Sequence, residues 1–310
     1  MNLPNDNFQI KFVGRQEIDT AKYDGCIESA KNSLIYGFSW FLDSVCEDWA
    51  CLILNDYEAV FPLPLRQKYG LNYVFLPPWV QQLGVFYVKP ISQEIFQLFL
   101  KKIPKNIRFI DVFLNAQNNF PTNRVAVRIN YIKNLKSENS CSTGYSKGRK
   151  SAVNQAIKNG IYCKYVGHPE DLIDLHRRFY TDGQLRSEIE LKKLTDLIEV
   201  LKIKDKVDLL SVFDSESNLL GGAVLTKHHN RVTYLFSVQS ADGRKKQALS
   251  FLIDYALHFY RQKFEIFDFE GSMNKSIASF FKSFGVEEEP YFHYRSLFTQ
   301  LFQVVVKTKQ

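Results

Sequence analysis

Between residues 264 and 285 the apolar residues change their period. The stretch "FEIFDFEGSMNKSIASFFKSFG" opens with the alternation of a β-strand. It closes with Ile277, Phe280, Phe281 and Phe284 at i, i+3, i+4 and i+7, the spacing of one helix face. A strand that turns at once into an amphipathic helix places the chain in the α/β class. Alternation puts Phe264, Ile266, Asp268 and Glu270 on one strand face, apolar at its start and acidic at its carboxyl end. Gly271 and Ser272 break the alternation, Ser272 or Asn274 can cap the helix, and Gly285 ends it as a left-handed residue. Ligands of open α/β sheets sit outside the carboxyl ends of strands, so the two acids stand where a site would be. The plainer alternative is two solvated acids at a strand end.

The remaining chain reads as the same kinds of element, used twice. Residues 8 to 14 form a strand and 15 to 46 are mainly helical. "WACLIL" and "EAVFPLPLRQKYG" pair across "NDY". "LNYVFLPPWVQQLGVFYV" is a strand, a Pro-Pro break and a second apolar piece. A helix near 92 to 103 and the strands "IRFIDVFL" and "RVAVRINYI" complete this half. The second half has a helix from "SKGRKSAVNQAIKNG", further helices near 169 to 180 and 188 to 202, and three strands between 206 and 238. A long helix from about 244 to 260, the opening stretch and a last strand in "EEEPYFHYRS" follow. With 310 residues, two domains are expected, 1–135 and 136–310.

The net charge of +7 is unevenly spread. Residues 131 to 165 hold seven Lys and Arg against the single acid Glu138, which points to an anionic partner or to a solvated basic helix. Lys147, Lys150, Asn154 and Lys158 share a helix face by spacing. The five cysteines are odd in number and lack metal-type spacing, so they are expected as reduced residues of a cytoplasmic protein. The six histidines suggest no metal site. No signal peptide is visible, and no apolar run reaches the roughly 18 residues of a membrane span.

The order of elements resembles the GNAT acyltransferase fold used twice, and more narrowly the FemABX-like group of tandem GNAT-like proteins. "INYIKNL…YSKGRKSAVNQAIKNG" resembles that group's linking strand and basic helix. "YLFSVQSADGRKKQALSFLIDYAL" resembles its strand, loop and long helix. "FDFEGSM…ASFFKSFG" resembles its most specific signature. The resemblance implies two tandem GNAT-like domains of mixed sheets, the second carrying the signature. It implies transfer of an acyl or aminoacyl group from a thioester or ester to an amine. The donor is then acyl-CoA, as a co-substrate with no permanently bound cofactor, or aminoacyl-tRNA. The acceptor is a small-molecule or cell-wall-precursor amine.

Such chemistry needs a group that takes the amine proton and donors that hold the oxyanion. Glu270 is the expected base, with Asp268 one pleat deeper as its support. Tyr291 or Tyr294 is a candidate to protonate the leaving group. The resemblance places the donor's carbonyl at backbone N–H groups of Ser237, Val238 and Gln239. Gly243, Arg244, Lys245 and Lys246 open the following helix, whose positive end would hold a phosphate. Here the chain departs from the acyl-CoA pattern, since Lys245 stands where a second small residue belongs. The resemblance also implies that Lys282 faces charged groups of donor or substrate; a boundary lysine with a buried stem is the alternative. Lys147, Arg149, Lys150 and Ser272 are expected on an anion- or acceptor-binding surface. Trp79, Gln81 and Gln82 are expected in a cleft-lining loop, with Trp79 also fitting a Pro-braced turn against an aromatic core. The alternative from another class is a non-catalytic GNAT-fold protein that binds a phosphate-bearing ligand.

Overall fold

The computed structural model describes residues 8–68, 70–120, 125–136, 141–166, 168–180, 186–271 and 273–300. The chain divides into two compact units. Unit 1 comprises residues 1–128 and 290–310, and unit 2 comprises 129–289.

Unit 1 begins with β1 (Ile10–Gly14), α1 (Thr20–Ser29) and α2 (Ser39–Val45). Then come β2 (Asp48–Leu54), β3 (Ala59–Lys68), β4 (Leu71–Phe75), β5 (Phe86–Tyr87), α3 (Gln93–Lys102) and β6 (Phe109–Leu114). β1 to β4 form an antiparallel meander, and β5 adds to β3. β6 lies parallel to β4. β2 is buried along almost its whole length, so its sequence is a continuous apolar run rather than an alternation.

β7 (Val125–Asn134) leads the chain into unit 2. There follow α4 (Lys147–Lys158), β8 (Tyr162–Tyr165), α5 (Glu170–Phe179), α6 (Glu188–Ile203), β9 (Val207–Phe213), β10 (Leu219–His228) and β11 (Arg231–Gln239). α7 (Ala241–Lys245), α8 (Ala248–Tyr260), β12 (Ile266–Asp268), α9 (Lys275–Lys282) and β13 (Glu287–Arg295) complete the chain. β8 to β11 again form an antiparallel meander, β12 lies parallel to β11, and β7 pairs antiparallel with β12. β8 was not apparent in the sequence, because its four residues carry only a fragment of an alternation.

The two units therefore share one plan: four meandering strands, a fifth parallel to the fourth, and a sixth antiparallel to the fifth. In unit 1 the sixth strand is the end of β13, where Phe292–Arg295 pair with Leu114–Asp111. In unit 2 it is β7. A single cut at 135 gives each sixth strand to the other half, whereas the compact units break at 128 and at 289.

The core of unit 2 forms where α8 lays Leu252, Ile253, Ala256 and Leu257 on the sheet. Phe267 and Phe269 of the strand stretch join it, with Phe281 and Phe284 from the α9 end. The apolar face of the opening stretch is thus Phe267/Phe269, not Phe264/Ile266, which are only half-buried. Ile277 is 42% exposed, so the helix packs through its second half alone. Asn274 caps α9 by accepting from the Ser276 and Ile277 N–H groups, and Gly285 takes φ +68° beyond its end. Ser272 lies outside the described residues. No described helix is long and apolar enough to cross a membrane.

Candidate active site

β11 and β12 run side by side for three residues only, Arg231–Thr233 against Ile266–Asp268. Just beyond, β11 carries a β-bulge: Phe236 pairs with Val224 and Tyr234 with Leu225, which leaves Leu235 as the extra residue. A bulge bends its strand and increases the local twist. β11 continues to Gln239 along β10, and its ladder with β12 has ended. One edge of the stretch from Tyr234 to Gln239 is thereby released from the sheet. Ser237, Val238 and Gln239 lie in this stretch.

Asp268 stands at the last paired position and is buried, with 2% exposure. Such a carboxylate needs compensation. The Arg231 guanidinium donates to Asp268 Oδ2 at 2.6 Å and to Glu289 Oε1 at 2.9 Å. Asn130 Nδ2 donates to Asp268 Oδ1 at 3.0 Å and to Glu289 Oε2 at 3.1 Å. The Glu270 N–H adds a bond of 2.9 Å to Asp268 Oδ1. Asp268 thus holds local structure, as its deeper position suggested. The cation between the carboxylates is Arg231, not Lys282, and the second carboxylate is Glu289, not Glu270. Burial alone would raise the Glu289 pKa, but the bonds and charge of Arg231 hold it below its ordinary value. The two carboxylates hold the Arg231 pKa up against its own burial.

Glu270 is not on the Asp268 face of a strand. The strand ends at Asp268, and Glu270 is half-buried with φ +50°, an uncommon conformation for a residue other than glycine. It sits where the chain leaves β12, two residues past the Thr233–Asp268 pair that ends the ladder with β11. Gly271 leaves no room for a ligand: a Cβ there would collide with the Ile129 carbonyl oxygen, and its N–H donates to Asn130 Oδ1 at 2.7 Å.

Beyond β11 the chain makes the short α7 before the long α8. Ser240 caps α7 by accepting from the Gly243 N–H at 2.9 Å. Gly243 is buried, and a Cβ there would collide with the Leu220 carbonyl. Its N–H is therefore used within the chain. The long helix starts at Ala248, after Gln247 in a left-handed conformation with φ +65°. Arg244, Lys245 and Lys246 thus stand at the end of one helix rather than at the start of the next, so they do not open the long helix. Lys246 donates to Asp214 Oδ2 at 2.8 Å, and Lys245 lies 3.4 Å from Asp242. Arg244 and Lys245 are exposed.

Two groups at this end of β11 had no signal in the sequence. The Tyr180 hydroxyl faces the Gln239 N–H and the charge of Arg244, and burial raises its pKa despite both. His176 stacks on the Tyr180 ring with centroids 4.6 Å apart, and its Nε2 accepts from the Arg186 N–H at 3.0 Å.

The basic stretch is less of a surface than its charge suggests. Lys147 and Lys150 are exposed on α4, as are Asn154 and Lys158. Arg149 is buried between the rings of Phe280 and Phe284, with Cζ 4.3 and 4.5 Å from their centres. It donates to Ser283 Oγ at 2.9 Å and to Ser250 Oγ, and burial lowers its pKa. Its place is in the packing of α4 against α8 and α9, so the expected anion-binding role does not fit it. Lys133 is buried as well, donating to the Thr143 and Gly285 carbonyls at 3.1 Å. Lys282 pairs with Glu288 at 2.7 Å and lies over the Tyr131 ring at 5.6 Å.

In unit 1, Trp79 is buried with φ +69°, and Gln82 is buried beside Gln81, to which its Nε2 donates at 2.5 Å. Trp79 is the Pro-braced, packed residue of the plainer reading. Tyr291 is buried in unit 1 with its ring edge-on to Phe113 at 5.8 Å, and Tyr294 is also buried.

No family model and no curated protein matches this chain. Solved structures do. FemX covers 96% of this chain and 99% of its own length, with a TM-score of 0.63 at 12% identity. L-PGS from Bacillus licheniformis covers 94% and 96%, with a TM-score of 0.56 at 11% identity. A tandem GNAT protein from the clavulanic acid biosynthesis pathway covers 93% and 98%, with a TM-score of 0.54 at 9% identity. The chain has the tandem GNAT-type fold of FemX. At these identities the likeness establishes the fold, and the chemistry has to be argued from the residues of this chain.

Proposed function

We propose that this chain is an N-acyltransferase that moves an acyl or aminoacyl group from a thioester or ester to an amine. The observation that supports this most is the divergence of β11 from β12 at the Leu235 bulge. It releases a backbone edge on which the Ser237 N–H can hold the donor's carbonyl oxygen, next to the Gln239 N–H that faces the Tyr180 hydroxyl. The amine nitrogen bonds to the carbonyl carbon, and the carbon's bond to the donor oxygen or sulfur breaks. Glu270 takes the amine proton, and Asp268 positions it by accepting its N–H. Tyr180, at the end of β11, protonates the departing atom; Tyr291 belongs to the core of unit 1. Arg244 and Lys245 meet the phosphates that acyl-CoA and aminoacyl-tRNA both carry. The acceptor is a small-molecule or cell-wall-precursor amine.

The test offers acetyl-CoA and charged tRNA, separately, with a panel of amines. The expected result is amine-dependent release of thiol from one donor or of deacylated tRNA from the other. Donor binding without turnover on any amine would leave the non-catalytic reading in its place. Neither binding nor turnover would remove both.

A further inference from the structure

Unit 2 holds a second concave site at the other end of its sheet. A cavity of 390 Å³ is bounded by the start of β9, the end of β10, Tyr165 of β8 and the end of α8. His228 of β10 pairs with Arg231 at the opposite end of β11 from Gln239, eight strand positions or about 25 Å away. The volume is near the lower end of the roughly 300–1,000 Å³ of ligand pockets, which fits a small metabolite rather than a nucleotide cofactor.

One wall is aromatic. Tyr165 and Phe259 are 46% and 40% exposed, and their ring centroids are 5.6 Å apart. Two exposed aromatic side chains inside a concavity favour a flat apolar partner. The polar side carries three lysines, Lys206, Lys227 and Lys263, against two carboxylates, Asp205 and Asp208. Asp208 accepts from the Tyr260 hydroxyl at 2.5 Å and from Lys227 Nζ at 2.9 Å, so both of its oxygens are engaged. Lys227 lies 3.5 Å from Asp205 as well, whose side chain is almost wholly in solvent. Lys206 and Lys263 enter no ion pair among the described residues. Burial first, then nearby groups that include the Lys206 and Arg231 cations, hold the His228 pKa down to about 3, so its ring is neutral near pH 7.

We propose that this cavity binds a small aryl carboxylate, its ring against Phe259 and Tyr165 and its carboxylate on Lys206 and Lys263. A cation is disfavoured by the two lysines, and an anion without a ring leaves the aromatic wall exposed. The site is independent of the acyl-transfer reading.

Benzoate is the probe, titrated into the full chain by calorimetry and by saturation-transfer NMR. Saturable binding is expected, with saturation reaching the ring protons. Lys206→Gln with Lys263→Gln should weaken it about tenfold or more, the effect of losing hydrogen bonds to a charged group. Phe259→Ala should weaken it severalfold, and cyclohexanecarboxylate should bind less tightly than benzoate. Thermal melts establish that each variant is folded. Lys263 is exposed and Lys206 half-buried, so their double variant decides the matter if Phe259→Ala fails to fold. No saturable binding at millimolar benzoate, equal affinity for inorganic phosphate, or unchanged affinity in the lysine variant would overturn the proposal.

Discussion

The parallel junctions of the two units follow one plan and end differently. β4 pairs with β6 over Tyr73–Phe75 and Phe109–Asp111, and β11 with β12 over Arg231–Thr233 and Ile266–Asp268. The third pair of each includes an aspartate. Asp111 is 2.6 Å from His293 Nε2, and Asp268 is 2.6 Å from Arg231. In unit 1, β4 stops at Phe75 and the chain passes through Pro77 and Pro78 before returning to β6. There the Leu83 N–H donates to the Phe113 carbonyl at 2.8 Å, and its own carbonyl accepts from the Asn115 N–H at 2.9 Å. The chain itself fills the edge that β4 gave up. In unit 2, β11 runs on through its bulge, and among the described residues no backbone bridge takes the place of Leu83. The shared aspartate therefore belongs to the upkeep of the fold. The opening at the end of β11 is what unit 2 has and unit 1 lacks.

The largest effect is expected when the cation of unit 2 is removed. Arg231→Met leaves Asp268 and Glu289 facing each other in a buried setting. The expected cost is about 3–5 kcal/mol, the range for breaking a buried ion pair from one side. His293→Gln in unit 1 keeps a donor for Asp111 and should cost less, about 1–3 kcal/mol. Urea unfolding of the two variants measures both. Equal costs would mean that the junctions are equivalent and that the charge network of unit 2 carries no special load.

Next in size is a rate effect without a stability effect. Glu270→Gln should slow acyl transfer about 10²–10⁴-fold, the span of general base catalysis, once a substrate pair is known. Gln keeps the shape of Glu and the backbone N–H bond to Asp268, so the unfolding free energy should fall by no more than about 1 kcal/mol. Full activity in this variant would remove Glu270 from the mechanism.

The sequence carried the elements more faithfully than the site. Periodicity located α3, α5, α6 and the strands β9 to β11 nearly to the residue, because each buries one regular face. It misplaced the start of α8, since Gln247 in a left-handed conformation divides a run that looks continuously helical. It found Asp268 but paired it with the wrong cation. Arg231 lies 37 positions away, and only the parallel register of β11 on β12 brings the two together. Glu289 from β13, Asn130 from β7 and Tyr180 from the end of α5 were hidden because each reaches its partner only through other tertiary pairings. Arg149 was read as surface because a charge within a basic helix gives no sign of the Phe280 and Phe284 rings that enclose it. Alternation also placed Glu270 on the Asp268 face, where a positive φ takes it off the strand.

A smaller effect separates the network from its surroundings by pH. Glu289 has a folded pKa below its unfolded one, so the folded state holds its proton less readily. Its contribution is complete above the ordinary carboxylate range and is lost as pH falls through that range toward the folded value. Stability measured from pH 7 down to pH 3 should decline less steeply in Glu289→Gln than in the parent, after allowing for the lower starting stability. Parallel declines would place the acid sensitivity elsewhere.

The smallest expected effect on stability tests the open end of β11. Arg244 and Lys245 are exposed, and Lys245 has only the 3.4 Å contact with Asp242. Exposed pairs of this kind contribute roughly 0–1 kcal/mol, so Arg244→Gln with Lys245→Gln should leave the melting curve almost unchanged. Lys246 differs in kind. It holds Asp214, whose carboxylate also accepts the Glu216 and Asn218 N–H groups of the turn between β9 and β10, and that carboxyl is kept well below its usual range by Lys246 first. Lys246→Gln should therefore loosen this turn, while the Arg244/Lys245 variant should not. If phosphates of the donor rest on Arg244 and Lys245, the double variant weakens donor binding and flattens its dependence on salt, because fewer charges are then screened. Lys246→Gln should shift donor binding less than the double variant does. The reverse order, with Lys246 governing affinity and the exposed pair silent, would place the phosphates on the turn below α7 rather than at the end of β11.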